Sequence, residues 1–150
     1  MLTDRINTLP LTPPVTVQAG TPVGRVVDEV QKKNVGCVLV YEAGRMVGII
    51  TERDVLLKVV ARDVDYTTTK IDDFMTREPV TLSPDNTIGD AATLMNDRHF
   101  RHIPVIDGNG QATGIVSIKD IIQMLAESFP EQVLNLPPRP HQRMETPEGG

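Results

Sequence analysis

Apolar residues follow two rhythms along this chain, and the alternation between them occurs twice. Val23, Val26, Val27 and Val30 recur at i, i+3, i+4 and i+7, and Ile88, Ala91, Ala92 and Met95 keep the same spacing. Each set predicts one amphipathic helix with a single apolar stripe. The runs CVLVY and HIPVI follow, each joined by a Gly-containing turn to a second apolar run, MVGII or ATGIV, which predicts a hairpin. Both hairpins lead into a second helical pattern. Val55, Leu56, Val59 and Val60 in the first, and Ile121, Ile122, Leu125 and Ala126 in the second, are expected to form its buried stripe. Short leading strands VTV and VTL complete a strand, helix, strand, strand, helix unit. Thr21, ahead of Pro22, is expected to cap the first helix and Asn86 its counterpart. His99, which aligns with Asn34, is expected to close a helix C-terminus.

The chain is therefore a duplication. Pro14, Val15 and Thr16 align with Pro79, Val80 and Thr81, Gly24 with Gly89, and Val40 with Val105; the offset grows by one residue in the hairpin turn, where DGNGQATG is longer than EAGRMVG. A hairpin turn absorbs such an insertion. Neither unit alone would bury much surface, so the two are expected to pack sheet on sheet as one α/β (α+β) body with pseudo-twofold symmetry. The expected divisions are residues 1–65, residues 66–129, and a Pro-rich tail, 130–150, read as extended. The polar stretch RDVDYTTTKIDD serves as the linker.

Composition narrows the function. The chain has 150 residues, a formal charge of -5 and 3% aromatic residues, which provides neither the basic stripe nor the stacking surface of a polynucleotide binder. Cys37 is the single cysteine, so an intramolecular disulfide is excluded and a reducing, cytoplasmic location is expected. Cys37 reads as a small buried apolar residue rather than a reactive thiol. No export signal is read at the N-terminus, and no apolar run reaches membrane-spanning length. The HExxH, GxSxG and phosphate-loop patterns are absent and the three histidines lack metal-ligand spacing, so no enzyme and no metal site is expected. Asp63, Asp65, Asp72 and Asp73 lack the glycine and final glutamate of a calcium loop and read as a solvated acidic segment.

The candidate chemistry lies in two matching phrases, GIITERDV and GIVSIKDI. Thr51 with Asp54, and Ser117 with Asp120, have capping-box spacing: the hydroxyl takes a helix N–H and the acid reaches back to the cap's own N–H. The same groups could also receive a ligand, because a carboxylate accepts two hydrogen bonds from a cis-diol and free N–H groups at a helix start face anions. Both readings stand on the residues alone.

With its Pro-Val-Thr strand starts, IDDFMTREPVTLSPDNTIGDAATLM and RHIPVID, the chain resembles a tandem pair of cystathionine beta-synthase (CBS) domains over roughly residues 6 to 128. The resemblance implies two β-α-β-β-α repeats joined along their sheets, with two clefts for adenosyl ligands. It makes Asp54 and Asp120 ribose anchors, with Thr51 and Ser117 beside them and Arg53 and Lys119 next in the chain. It also implies that each cleft mixes repeats. The Asp54 cleft would be completed by Thr81, Phe100, Arg101 and His102, giving it cations for phosphates. The Asp120 cleft would be completed by Thr16, Val35, Gly36 and Cys37, and would be the weaker or differently selective site. The implied function is a non-enzymatic sensor of AMP, ADP or ATP that signals to a partner, an enzyme or transporter, and forms a homodimer. The alternatives are a docking scaffold with empty clefts, or a binder of S-adenosylmethionine or NADH.

Overall fold

A computed structural model describes residues 2–128; the Pro-rich stretch 130–150 lies outside the described residues. In the first repeat, strand β1 (Thr16–Gln18) is followed by helix α1 (Val23–Lys33), then by the hairpin β2 (Cys37–Glu42) and β3 (Arg45–Thr51). A short helix α2 (Glu52–Asp54) continues into a wider π-helical stretch, Val55–Val60. The two-residue strand β4 (Thr76–Arg77) opens the second repeat, which continues with α3 (Ile88–Arg98), the hairpin β5 (His102–Ile106) and β6 (Ala112–Ser117), and α4 (Ile118–Ser128).

The hairpins follow the apolar runs closely. β2 and β5 are continuous apolar strings because both their faces are covered. Each hairpin has one register irregularity at the same place, Val40/Tyr41 in one and Val105/Ile106 in the other. Between β2 and β3 the turn residues Ala43 and Gly44 both have positive φ, 50° and 76°, the geometry of a tight two-residue hairpin turn. The longer second turn is organised by Asp107, whose carboxylate accepts from the backbone N–H groups of Asn109 and Gln111. The hairpins stack so that Cys37, Leu39, Tyr41, Ile49 and Ile115 form a shared layer between them. The Tyr41 hydroxyl accepts from the Ala112 N–H of the other repeat at 2.9 Å.

The segments leading into the two repeats are exchanged. Ile6, in a 3-10 turn (Ile6–Thr8), is fully buried in the core of the second repeat with Ile88, Ala91, Ile103 and Val116. Ile71, in the matching turn (Ile71–Asp73), is fully buried with Phe74 and Met75 in the core of the first, among Val23, Val26, Val38 and Ile50. Backbone hydrogen bonds repeat the exchange: Ile6 N–H donates to the Asn86 carbonyl and Ile71 N–H to the Thr21 carbonyl. Each core is thus closed by a piece of the other repeat, consistent with the small area one unit buries alone. β4 pairs with β3 to complete a four-stranded sheet of order β1-β2-β3-β4.

Several local expectations are corrected. The cap of α1 is Pro22, not Thr21, whose hydroxyl donates instead to the Gln18 carbonyl. The cap of α3 is Thr87, not Asn86: Thr87 and Asp90 form the capping box, and the Asn86 amide donates to Asp90. VTL forms only a single bridge, Leu82 to Val105, rather than a strand. The second helices bury Val59 and Ile121 as expected, but leave Leu56, Val60, Ile122 and Leu125 exposed. These positions lie on the helix side turned away from the sheets, where no layer of the described residues covers them. Asn34 and His99 do terminate α1 and α3 in the left-handed conformation.

Candidate functional site at the two helix starts

Both phrases fold as capping boxes. Thr51 N–H donates to Asp54 Oδ2 at 3.0 Å, and Asp54 N–H donates to Thr51 Oγ1 at 3.2 Å. Ser117 N–H donates to Asp120 Oδ2 at 2.8 Å, and Asp120 N–H donates to Ser117 Oγ at 3.2 Å. The capping reading therefore holds in full, and it leaves Oδ1 of each half-buried aspartate directed elsewhere.

That second oxygen distinguishes the sites. Asp54 Oδ1 is paired with Lys58 Nζ at 3.2 Å, and the same ammonium donates to the Phe74 carbonyl at 3.3 Å. Asp120 has no ion pair among the described residues and borders a cavity of about 510 Å3. The exchanged leading segment forms much of that cavity's wall, through Thr8, Leu9 and Pro10, and α4 adds Met124 and Glu127.

The start of each central strand lies beside the helix start of its own repeat. Cys37 pairs with Thr51 and His102 with Ser117; Glu52 N–H donates to the Gly36 carbonyl and Ile118 N–H to the Arg101 carbonyl, both at 3.0 Å. A side chain of the second repeat reaches the first here. The half-buried His102 ring lies against Gly36, where a β-carbon would overlap it. Burial lowers the His102 pKa; Glu52 and Asp120 act to raise it, while Lys119 and Arg101 act to lower it. His102 is therefore within electrostatic reach of both helix starts.

The other residues singled out from the sequence are dispersed. Arg53, Lys119 and Arg101 are exposed. Val35 packs on the first core and Phe100 on the second. Cys37 lies in the layer between hairpins, its thiol pushed up to about 12 by burial and, secondarily, by Glu52. Thr16 is exposed on β1 beside Leu39. Thr81 lines a different cavity, of about 610 Å3, with Arg45, Glu78 and Asn109 near the hairpin turns. None of Thr16, Val35, Gly36 and Cys37 lines the cavity at Asp120. Sequence reasoning missed Lys58 and the leading segment. The detectable signals were the alignment of Ile6 with Ile71 and the lysine one helical turn after Asp54.

Twice-built hydroxyl-carboxylate helix starts in two interlocked repeats define a class of paired domains. The chain belongs to the CBS domain family, whose model matches residues 6–61 and 71–127. An uncharacterized 17.7 kDa protein of Acidianus ambivalens is 31% identical over 82% of this chain and 74% of its own length. The chain spans 55% and 44% of the length of two further curated relatives. Among solved structures, the CBS domain pair of the protein MJ0100 in complex with 5'-methylthioadenosine and S-adenosyl-L-methionine is 25% identical, with a TM-score of 0.72, covering 81% of this chain and 99% of that one. The cytosolic domain of the Mg2+ channel MgtE in complex with ATP is 26% identical, with a TM-score of 0.68, covering 81% of this chain and 48% of that one.

Proposed function

We propose that this chain is a non-enzymatic regulatory module that senses an adenine nucleotide, AMP, ADP or ATP, in clefts between its repeats and relays occupancy to a partner. The observation that carries this reading is that two half-buried aspartates each use one carboxylate oxygen on a helix cap, while the other oxygen of Asp54 is held by Lys58 and Asp120 borders a cavity. That second oxygen accepts hydrogen bonds from a ribose cis-diol, a charge-assisted interaction worth roughly 1.5–3 kcal/mol. Support comes from the MJ0100 pair, with its adenosyl compounds, and from the MgtE domain, with ATP. Arg101 and His102, at the start of β5, are the proposed phosphate-facing groups. A ligand seated against the exchanged leading segment touches both repeats at once, so occupancy biases how they sit together.

The partner is a second copy of the chain together with a regulated enzyme or transporter. What supports the homodimer is the pair of apolar faces left uncovered on the second helices. The runner-up is a scaffold with empty clefts that keeps these faces for docking.

Thermal melting separates the two readings. A ligand that binds only the native state at a hundred times its Kd adds about 2.7 kcal/mol of stability. AMP, ADP or ATP is expected to raise Tm by several degrees. An unchanged Tm with these nucleotides, S-adenosylmethionine and NADH would establish the scaffold instead.

A further inference from the structure

The two helix starts share their capping geometry but differ in charge. Lys58 and Met124 occupy the same place, one turn after the aspartate in each repeat. Lys58 Nζ bridges Asp54 Oδ1 and the carbonyl of Phe74, which belongs to the exchanged leading segment. In the second repeat the counterparts, Met124 and Leu9, instead line the open cavity beside Asp120. Asp4 and Glu127 also line the cavity, and among the described residues no Lys, Arg or His does. Two other charged positions beside the helix starts also differ between the repeats, Glu52 opposite Ile118 and Arg101 opposite Gly36, but neither forms an ion pair with Asp54 or Asp120 among the described residues. Arg53 and Lys119 are exposed at equivalent positions in both repeats, and His102 is within electrostatic reach of both helix starts.

We propose that Lys58 and Met124 sort ligands by charge, so that the Asp54 cleft takes a phosphate-bearing adenosyl compound and the Asp120 cleft an uncharged or cationic one. This rests on the ribose reading above. A diol that reaches Asp54 must take Oδ1 from Lys58. A phosphate on the same ligand gives the displaced ammonium a new anionic partner, whereas an uncharged nucleoside leaves it without one. At Asp120 no lysine has to move, Met124 is an adaptable apolar wall, and the Asp120 and Glu127 carboxylates repel phosphate while tolerating a neutral or positively charged substituent.

Calorimetric titration with AMP and with adenosine, which differ only by the phosphate, tests the assignment. In the wild-type chain, protein saturated with AMP still binds adenosine at a second site, and the AMP site prefers AMP over adenosine by about tenfold or more. Lys58→Met removes that preference. Lys58→Gln does the same while keeping a donor for the Phe74 carbonyl, and a matched melting curve establishes that each variant is folded. Met124→Lys confers AMP binding on the second site. The sorting is overturned if AMP and adenosine displace each other one for one in the wild type, or if both Lys58 variants keep the wild-type preference. Binding of neither compound overturns the ribose reading itself, which separates the two failures.

Discussion

The carboxylate of Asp54 serves three neighbours at once: the Thr51 N–H, the Thr51 hydroxyl and the Lys58 ammonium. Asp120 has the first of these interactions and, among the described residues, no ion pair. Between the two helix starts stands His102, which the structure keeps half-buried against Gly36. Its folded pKa is lowered from the usual 6.5, chiefly by burial, against the raising influence of Glu52 and Asp120 and with the lowering influence of Lys119 and Arg101. The unfolded chain therefore binds this proton more readily than the folded one. His102 leaves stability intact above pH 6.5 and costs stability as pH falls from there toward its folded pKa. Urea unfolding at pH 7.5 and pH 5 is expected to show a larger acid loss for the wild type than for His102→Gln; equal losses would contradict the burial account. The capping boxes were legible because a hydroxyl and an acid at three-residue spacing interact within one turn. Lys58 was not, because its second partner, Phe74, is brought to it only by the exchange of leading segments.

At the scale of elements, the periodic helices and both hairpins were readable, since each depends on apolar spacing within a short window. The outward side of the second helices was not. Leu56, Val60, Ile122 and Leu125 continue the apolar pattern but face away from the sheets, and Leu57 and Ile118 extend the exposed surface. Spacing identifies an apolar face without saying whether the covering layer is in the same chain. Exposed apolar faces this extensive mark an interaction surface. Sedimentation is expected to give a dimer for the wild type and a monomer for the Leu56→Glu, Ile122→Glu double variant, whose protomer fold should be little affected because both positions are solvent-exposed. A wild-type monomer would assign these faces to a different partner. The two second helices also differ in winding. The stretch after Asp54 is π-helical over Val55–Val60, whereas α4 is α-helical throughout its described length. Such wide turns are rare and often occur near functional sites.

For the molecule as a whole, the duplication contained most of the architecture, including the one-residue insertion in the second hairpin turn. It did not reveal the exchange. Ile6 and Ile71 look like isolated apolar residues in polar surroundings, and only the assembled molecule shows each buried in the other repeat's core. The expected crossing of repeats at the site consequently takes a different form: His102 meets Gly36, and Thr8, Leu9 and Pro10 of the leading segment wall the cavity at Asp120, while each central strand stays beside its own helix start. Ligand in either cleft would bridge halves that already depend on one another, which couples binding to the arrangement of the pair. The most direct measurement is an AMP titration by calorimetry of the wild type, Asp54→Asn and Asp120→Asn, with melting curves alongside. The account predicts that AMP binds the wild type and that Asp54→Asn weakens this binding about ten- to a hundredfold, with little change in ligand-free Tm because the amide still caps the helix. AMP binding unaffected by Asp54→Asn, with only Tm lowered, would reduce Asp54 to a helix cap.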